Sequence, residues 1–446
     1  MSYLGNKGYT VLKKDVDVSK IKSELTATIS SKQYGNEARV FFFRETIKKL
    51  YIPRFYGITH LGPVPSTLSS GDDIKLSFAG SLRPVQEIIV NSFFDKGANG
   101  LIEVGCGQGK TICALNIIQK QGKKTLVIVH KEFLLNQWVE RINEFLPGAR
   151  VGRIQGNQID IQNKDIVIGM LQSLSMKEYD VSLFSSFGFV VIDEVHHISS
   201  EVFSNFLFRV VKPNMLGLSA TMERKDGTTP FFKLFLGNVV YKQTECEKFD
   251  VIVKAYKYTT SDPEFNKVET DMRGNVKYST MIAKLCGYNH RTEFILNIVV
   301  NLLNDNSDQQ IMIIAHNKNI LKYIYDAIVH RSIASVGYYV GGMKEVELKQ
   351  SETKKIIIAT YSMAAEALDI KTLTTLVMAT PKTEIEQAVG RILRVKHSTP
   401  IVVDIIDSHS VFKNQWKKRS AFYKSRNYKI EMKTEKSDKK CLIQMT

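Results

Sequence analysis

The chain reads as short, uninterrupted apolar runs separated by amphipathic stretches. GLIEV, TLVIV, DIVIGM and FGFVVID have strand length, and the intervening ICALNIIQKQ and FLLNQWVERINEF repeat apolar residues at helical spacing. Strands that are apolar throughout, alternating with helices, predict a parallel sheet covered on both faces. The pattern restarts near Phe249 with IMIIAH, ILKYIYDAIV, SVGYYV, KIIIAT, TLVMAT and PIVVDII, so a second α/β domain is expected. Ahead of both, Ser2 to Gly71 mixes β-branched and aromatic residues and leads into a Pro/Gly/Ser cluster of linker type, HLGPVPSTLSSGDD. The predicted order is a small N-terminal domain (1–76), a first α/β domain (77–245), a second α/β domain (246–430) and a basic tail (431–446).

Length and charge sharpen this picture. A chain of 446 residues exceeds what one core organises, and 43% hydrophobic with 24% charged residues is the balance of a folded globular protein. The net charge of +16 favours a polyanionic partner, nucleic acid before an anionic membrane. No apolar run approaches the roughly 18 residues of a membrane span. The start MSYLGNKGYTVLKK has no apolar secretory segment, so a reducing cytoplasmic or nuclear location is expected and secretion is not. Cys106, Cys113, Cys246, Cys286 and Cys441 are scattered without Cys-x-x-Cys spacing, which predicts reduced thiols and no structural zinc. Val411 to Thr446 carries 11 Lys/Arg against 3 Asp/Glu. It reads either as a solvated helix with a frayed tail or as an arm whose Lys417, Lys418 and Arg419 touch phosphates.

Candidate chemistry clusters at strand ends. After GLIEV comes Gly105-Cys106-Gly107-Gln108-Gly109-Lys110-Thr111, and a helix follows. Glycines let backbone N–H groups curl around phosphate oxygens, the helix N-terminus adds partial positive charge, Lys110 can reach the β/γ-phosphates, and Thr111 can ligate Mg²⁺. Val104 stands where the strict phosphate-loop pattern has its first Gly. After FGFVVI stand Asp193, Glu194, Val195 and His196. Asp193 can hold Mg²⁺ through its water shell while Glu194 orients and deprotonates the attacking water. Ser219 and Thr221 of LSAT offer hydroxyls that can link His196 to a nucleic-acid side, and Gln86, in a helix opened by Pro84, presents an amide to an adenine edge.

In the second half, QAVGRILR puts Arg391 and Arg394 three residues apart, on one face of a helix that also carries Gln387. With a phosphate site on another domain, such a pair reads as an arginine finger. Thr360 closes the strand IIIAT and can contact nucleic-acid phosphate; Asp369 can face the ATP ribose.

The order GCGQGKT, DEVH, LSAT, ATYSMAAEALDI and QAVGRILR, spread from Ser77 to Ile430, resembles superfamily-2 helicases. The resemblance implies two tandem RecA-like parallel-sheet domains that bracket ATP and a single nucleic-acid strand. DEVH, VHKEFLLNQW and SATMERKDG are similar to XPB-like DNA helicases and to the transcript-release helicases of large DNA viruses. It departs from them at Lys225, the middle of Arg224-Lys225-Asp226 where relatives carry Arg-Glu-Asp, and at Ala367, where Gly is common before Leu-Asp. What this implies is a monomeric, ATP- and Mg²⁺-dependent motor moving 3′→5′ on DNA, with RNA as the alternative track. RNA polymerase or the transcription machinery is the implied partner, and packaging in a virion an implied fate. The rival from another class is an ATP-gated scaffold that binds nucleic acid without turnover.

Overall fold

The computed structural model describes residues 1–30, 37–105, 108–198, 200–221, 227–243, 249–366, 370–393 and 399–433. The chain divides into two compact units, Met1–Cys246 and Glu247–Thr446.

Each apolar run of the first unit is a strand of one eight-stranded sheet. Its order is Gln158–Ile159, Val151–Gln155, Ile166–Met170, Thr125–Val129, Phe189–Ile192, Asn214–Ser219, Asn99–Glu103, Val239–Lys242. All neighbours are parallel except the short Gln158–Ile159 hairpin partner. Alternate residues of the central strands feed two cores, as the two-residue period of a strand requires. Val127, Val129 and Val191 pack against the helices Pro84–Asp95, Lys110–Gln121 and Glu132–Phe145. Leu126, Ile128, Val190 and Ile192 face the opposite way.

That opposite core is shared with the N-terminal residues. Tyr9, Val11, Phe42, Leu50 and Ile52 come from an antiparallel sheet and the segment beside it, and pack in the same cluster as Leu126 and Ile192. Phe42 stacks on Phe231 with ring centroids 4.1 Å apart. The buried Arg54 guanidinium donates to the carbonyls of Lys212 and Pro213, each at 2.9 Å, and to Asn99 Oδ1 at 2.5 Å. Burial pulls that guanidinium down to about 10. The Pro/Gly/Ser stretch that reads as a linker is stitched to the sheet: Asp72 N–H donates to Ser186 O, Lys124 N–H to Asp72 O and Ile74 N–H to Gly122 O. Gly71 (φ 70°) lies where a Cβ would come within 2.1 Å of the Gly188 nitrogen, so this close backbone approach requires glycine.

The second unit has a seven-stranded, all-parallel sheet in the order Val336–Tyr339, Ile356–Thr360, Gln310–Ala315, Leu373–Met378, Ile401–Asp407, Ile252–Tyr258, Lys429–Lys433. The strand Ile401–Asp407 carries two buried carboxylates, each met by a two-pronged arginine. Arg291 donates to Asp407 at 2.6 and 2.8 Å, and Arg419 to Asp404 at 2.7 and 2.8 Å. Tyr423 donates its hydroxyl to Asp404 as well, at 2.8 Å.

This corrects the phosphate-arm reading at one residue. The helix Ser410–Ser425 buries Phe412, Arg419 and Tyr423, so the Arg419 charge faces Asp404, while Lys417 and Lys418 are exposed. The charge of the segment alone marked three consecutive cations as candidates; a helix spreads consecutive residues around its axis, and here the last of them falls on the buried face with Phe412 and Tyr423. Residues 434–446 of the expected tail lie outside the described residues, and Lys429–Lys433 pairs in parallel with Ile252–Tyr258. Arg419→Ala leaves the Asp404 carboxylate buried without its counter-charge, which costs roughly 3–5 kcal/mol. Urea unfolding followed by circular dichroism is expected to show a midpoint lowered to match, and an unchanged midpoint overturns the pair's role. None of the described helices is long and apolar enough to cross a membrane.

Candidate functional site

Strand register brings the candidate groups of the first unit to one edge. Ile192 lies beside Ile128 and Gly217, and Ser219 beside Glu103, so Asp193, Ser219 and the glycine loop all leave the carboxyl ends of adjacent strands. Ligands of parallel sheets bind at that edge.

The loop after Glu103 runs directly into the helix Lys110–Gln121. That helix starts behind Gly109 (φ 87°) and stops at Gly122 (φ 60°), whose N–H returns to Ile118 O at 3.1 Å. Both ends thus use the left-handed conformation that glycine adopts without a Cβ penalty. Gly105 N–H donates to Gln243 Oε1 at 3.2 Å. Gln108 O accepts from Arg83 Nη2 at 2.8 Å and from Gln86 Nε2 at 3.4 Å. Cys106 and Gly107 lie outside the described residues. Gln86 is buried, and its Oε1 accepts the Arg83 backbone N–H at 2.9 Å, capping its own helix. Its amide is therefore bound to the glycine loop.

Lys110 Nζ lies 3.1 Å from Glu194 Oε1, an ion pair with both side chains mostly buried. Glu194 has φ 48°, a left-handed conformation rare outside glycine, at the turn between its strand and the short 3₁₀ helix Val195–His197. Strain of this kind persists where the surroundings over-determine it, and concentrates at working sites. Asp193 is bound on both oxygens: Trp138 Nε1–H donates to Oδ2 at 2.8 Å and the Glu194 backbone N–H to Oδ1 at 3.0 Å. Burial, and then the adjacent Glu194 charge, push its carboxyl up to about 6; Lys110 and the Trp138 N–H oppose them. His196 Nδ1 is 2.7 Å from Ser219 Oγ and 3.3 Å from Glu194 Oε2. Ser219 donates its hydroxyl to Thr221 O, so its oxygen is left to accept, which assigns the proton to His196 Nδ1. Thr111 stands half-buried in the first turn of the loop helix.

The donor set fits a nucleotide and a divalent cation. A lysine, glycine N–H groups and a helix N-terminus suit phosphate oxygens, and a carboxylate and a threonine hydroxyl suit Mg²⁺. Lys110, Asp193, Glu194, His196 and Ser219 are brought together, with Gln86 behind the loop. Sequence reasoning missed Arg83, Gln243 and Trp138. For Trp138 a signal existed, since a buried indole N–H needs an acceptor; for Gln243 there was none.

In the second unit, Gln387 is half-buried in the helix Glu386–Gly390, and Arg391 opens a 3₁₀ turn, Arg391–Leu393. Arg391 is buried and its Nε donates to Ala364 O at 2.9 Å, so it does not share a solvent face with its neighbours. Asp369, Arg394, Ala367 and the Arg224-Lys225-Asp226 triplet lie outside the described residues. Thr360 ends its strand with Oγ1 3.2 Å from Ser362 Oγ. Cys113 and Cys286 are buried and free, and burial pushes the Cys113 thiol up to about 12.

Comparison with known proteins matches residues 79–224 to the family described as Type III restriction enzyme, res subunit. A protein of Acanthamoeba polyphaga mimivirus, whose name is that of an ATP-dependent RNA helicase, is 33% identical over 447 residues, spanning 95% of this chain and 85% of its own. One of the same designation from African swine fever virus is 28% identical over 74% of this chain and 69% of its own. A protein named as a helicase in Invertebrate iridescent virus 6 is 24% identical over 93% of this chain and 97% of its own. The crystal structure of T4 UvsW aligns over 94% of this chain and 95% of its own at 18% identity, with a TM-score of 0.38.

Proposed function

The chain belongs to the superfamily-2 helicases, and from that premise we propose that it hydrolyses ATP at Lys110, Asp193 and Glu194 to move 3′→5′ along DNA, acting in transcript release. The observation that carries the reading is the Lys110–Glu194 pair at 3.1 Å with Asp193 fixed beside it.

Gly105, Cys106, Gly107, Gln108, Gly109 and Lys110 would hold the phosphates, Thr111 and Asp193 the Mg²⁺, with Gln86 and Asp369 toward adenine and ribose. Bound Mg²⁺ supplies charge neutralisation on the phosphate oxygens. Lys110 binds and orients the phosphate tail. The Trp138 indole holds Asp193 in one orientation, and Glu194, placed by its left-handed turn, accepts a proton from water. His196, through Ser219 and Thr221, ties that carboxylate to the strand end from which LSAT departs. Arg394 serves as the arginine finger, with Gln387 and Arg391 supporting it; its test is kinetic.

A second reading gives the motor an RNA track, favoured by the names of the mimivirus and African swine fever virus relatives. The two are separated by ATPase rates measured in parallel with single-stranded DNA, duplex DNA and RNA. Stimulation of at least tenfold by DNA over RNA is expected. The reverse preference assigns the RNA track, and stimulation by none overturns the motor.

A further inference from the structure

The N-terminal hairpin pairs Thr26–Ser30 with Glu37–Phe41 in antiparallel register, Thr26 opposite Phe41, Ala27 opposite Val40 and Thr28 opposite Arg39. Successive side chains of a strand point to opposite faces. Ala27 and Val40 accordingly pack on the first unit's core. The other face carries Thr26, Thr28, Arg39 and Phe41, and these line an open cleft of 780 Å³ together with Lys22 and Phe43. Phe41 stands on this wet face with 48% of its surface exposed.

The cleft is built rather than incidental. Arg44 donates to Phe43 O at 2.8 Å and Phe41 O at 3.3 Å, and also to Asn205 Oδ1, which fixes the backbone that presents both rings. Phe41 and Phe43 meet edge to face at 5.7 Å, and Lys22 Nζ sits 5.4 Å over the Phe43 ring. Glu45 is the one carboxylate among the described lining residues and is held by Lys13 at 2.6 Å and Lys22 at 2.7 Å. Its charge is therefore turned toward the lysines, and with Arg39 and Arg44 the cleft stays net positive.

We propose that this cleft is a second nucleic-acid contact, outside the motor site, in which a base of a single strand stacks on Phe41 while its phosphates lie along Arg39 and Lys22. An exposed ring in a cleft lined by cations is the combination that holds single strands without reading their sequence. The exposed Thr28 hydroxyl, opposite the arginine, supplies a hydrogen bond to sugar or phosphate, while the Thr26 proton is held by Lys22 O at 2.6 Å. A base face and a phosphate are common to single-stranded DNA and RNA, so both are ligands by this chemistry. The proposal rests on nucleic acid being the motor's track.

The test uses the full chain with fluorescein-labelled oligo-dT and oligo-U of equal length, read by anisotropy, alongside ATPase stimulation. Phe41→Ala is expected to weaken binding by about 5- to 150-fold, the range that loss of one stacked base gives. The ATPase rate at saturating nucleic acid should be unchanged, and Phe41→Trp should restore affinity. Arg39→Ala should flatten the log–log salt dependence by about 0.7 on single strands. The arm with the larger Phe41→Ala effect identifies the natural strand. Wild-type affinity in both Phe41→Ala and Arg39→Ala overturns the proposal, even if nucleic acid stimulates the ATPase. A weakened Phe41→Ala with no stimulation in the wild type overturns the motor reading and leaves the cleft standing. Melting curves exclude unfolding, and Arg39→Ala, at an exposed position, carries the test if Phe41→Ala fails to fold.

Discussion

Glu194→Gln is expected to lower nucleic-acid-stimulated hydrolysis by about 10² to 10⁴, the usual worth of a positioned general base, while ATP binding survives. The substitution keeps an oxygen for the Lys110 ammonium, 3.1 Å away, and keeps the left-handed turn at φ 48° that aims the side chain. It removes the acceptor of the proton. Lys110→Ala acts differently: it deletes the phosphate counter-charge and leaves Glu194 in a mostly buried site without that partner, so affinity for ATP falls along with the rate. Single-turnover hydrolysis at saturating ATP, with equilibrium binding of a labelled ATP analogue, separates the two. Native-rate hydrolysis by Glu194→Gln would remove it as the base and leave Asp193 as the remaining carboxylate at the strand end.

The strands were legible because a strand buried on both faces must be apolar along its whole length, and TLVIV and FVVI have no other soluble use. The N-terminal part was harder to read. Its attachment depends on backbone partners far along the chain, Asp72 with Ser186 and Arg54 with Lys212, and polar loop composition carries no trace of them. The glycine loop and Asp193-Glu194 could be read because phosphate chemistry fixes residue types at short spacing. The Trp138–Asp193 hydrogen bond spans 55 residues and exists only once helix and strand have packed. Arg391 shows a third kind of limit. Its spacing marks a candidate face, but its burial and its bond to Ala364 O, 27 residues away in the chain, exist only once the second unit has packed.

The buried bond to Ala364 O gives Arg391 a structural role, and substitution distinguishes it from Arg394. Arg391→Ala removes the buried donor to Ala364 O, which leaves a carbonyl short of its partner and costs roughly 1–3 kcal/mol of stability. Its melting temperature should fall, and its hydrolysis should fall only as far as folding does. Arg394→Ala should melt like the native protein and bind ATP through the intact Lys110 loop, yet lose about 10³ to 10⁵ in hydrolysis, the worth of an arginine finger on a transferring phosphoryl group. Stimulation by nucleic acid should vanish with it, since in this reading the finger is what nucleic acid brings to bear. Single-turnover rates at saturating ATP and nucleic acid, each paired with a melting curve, decide between the two positions. If a well-folded Arg394→Ala keeps most of its stimulated rate, and a well-folded Arg391→Ala does not, the finger is Arg391 and its bond to Ala364 must break in the working cycle. If both keep it, the second unit contributes no arginine to hydrolysis, and ATP drives movement through the first unit's Asp193, Glu194 and His196 alone.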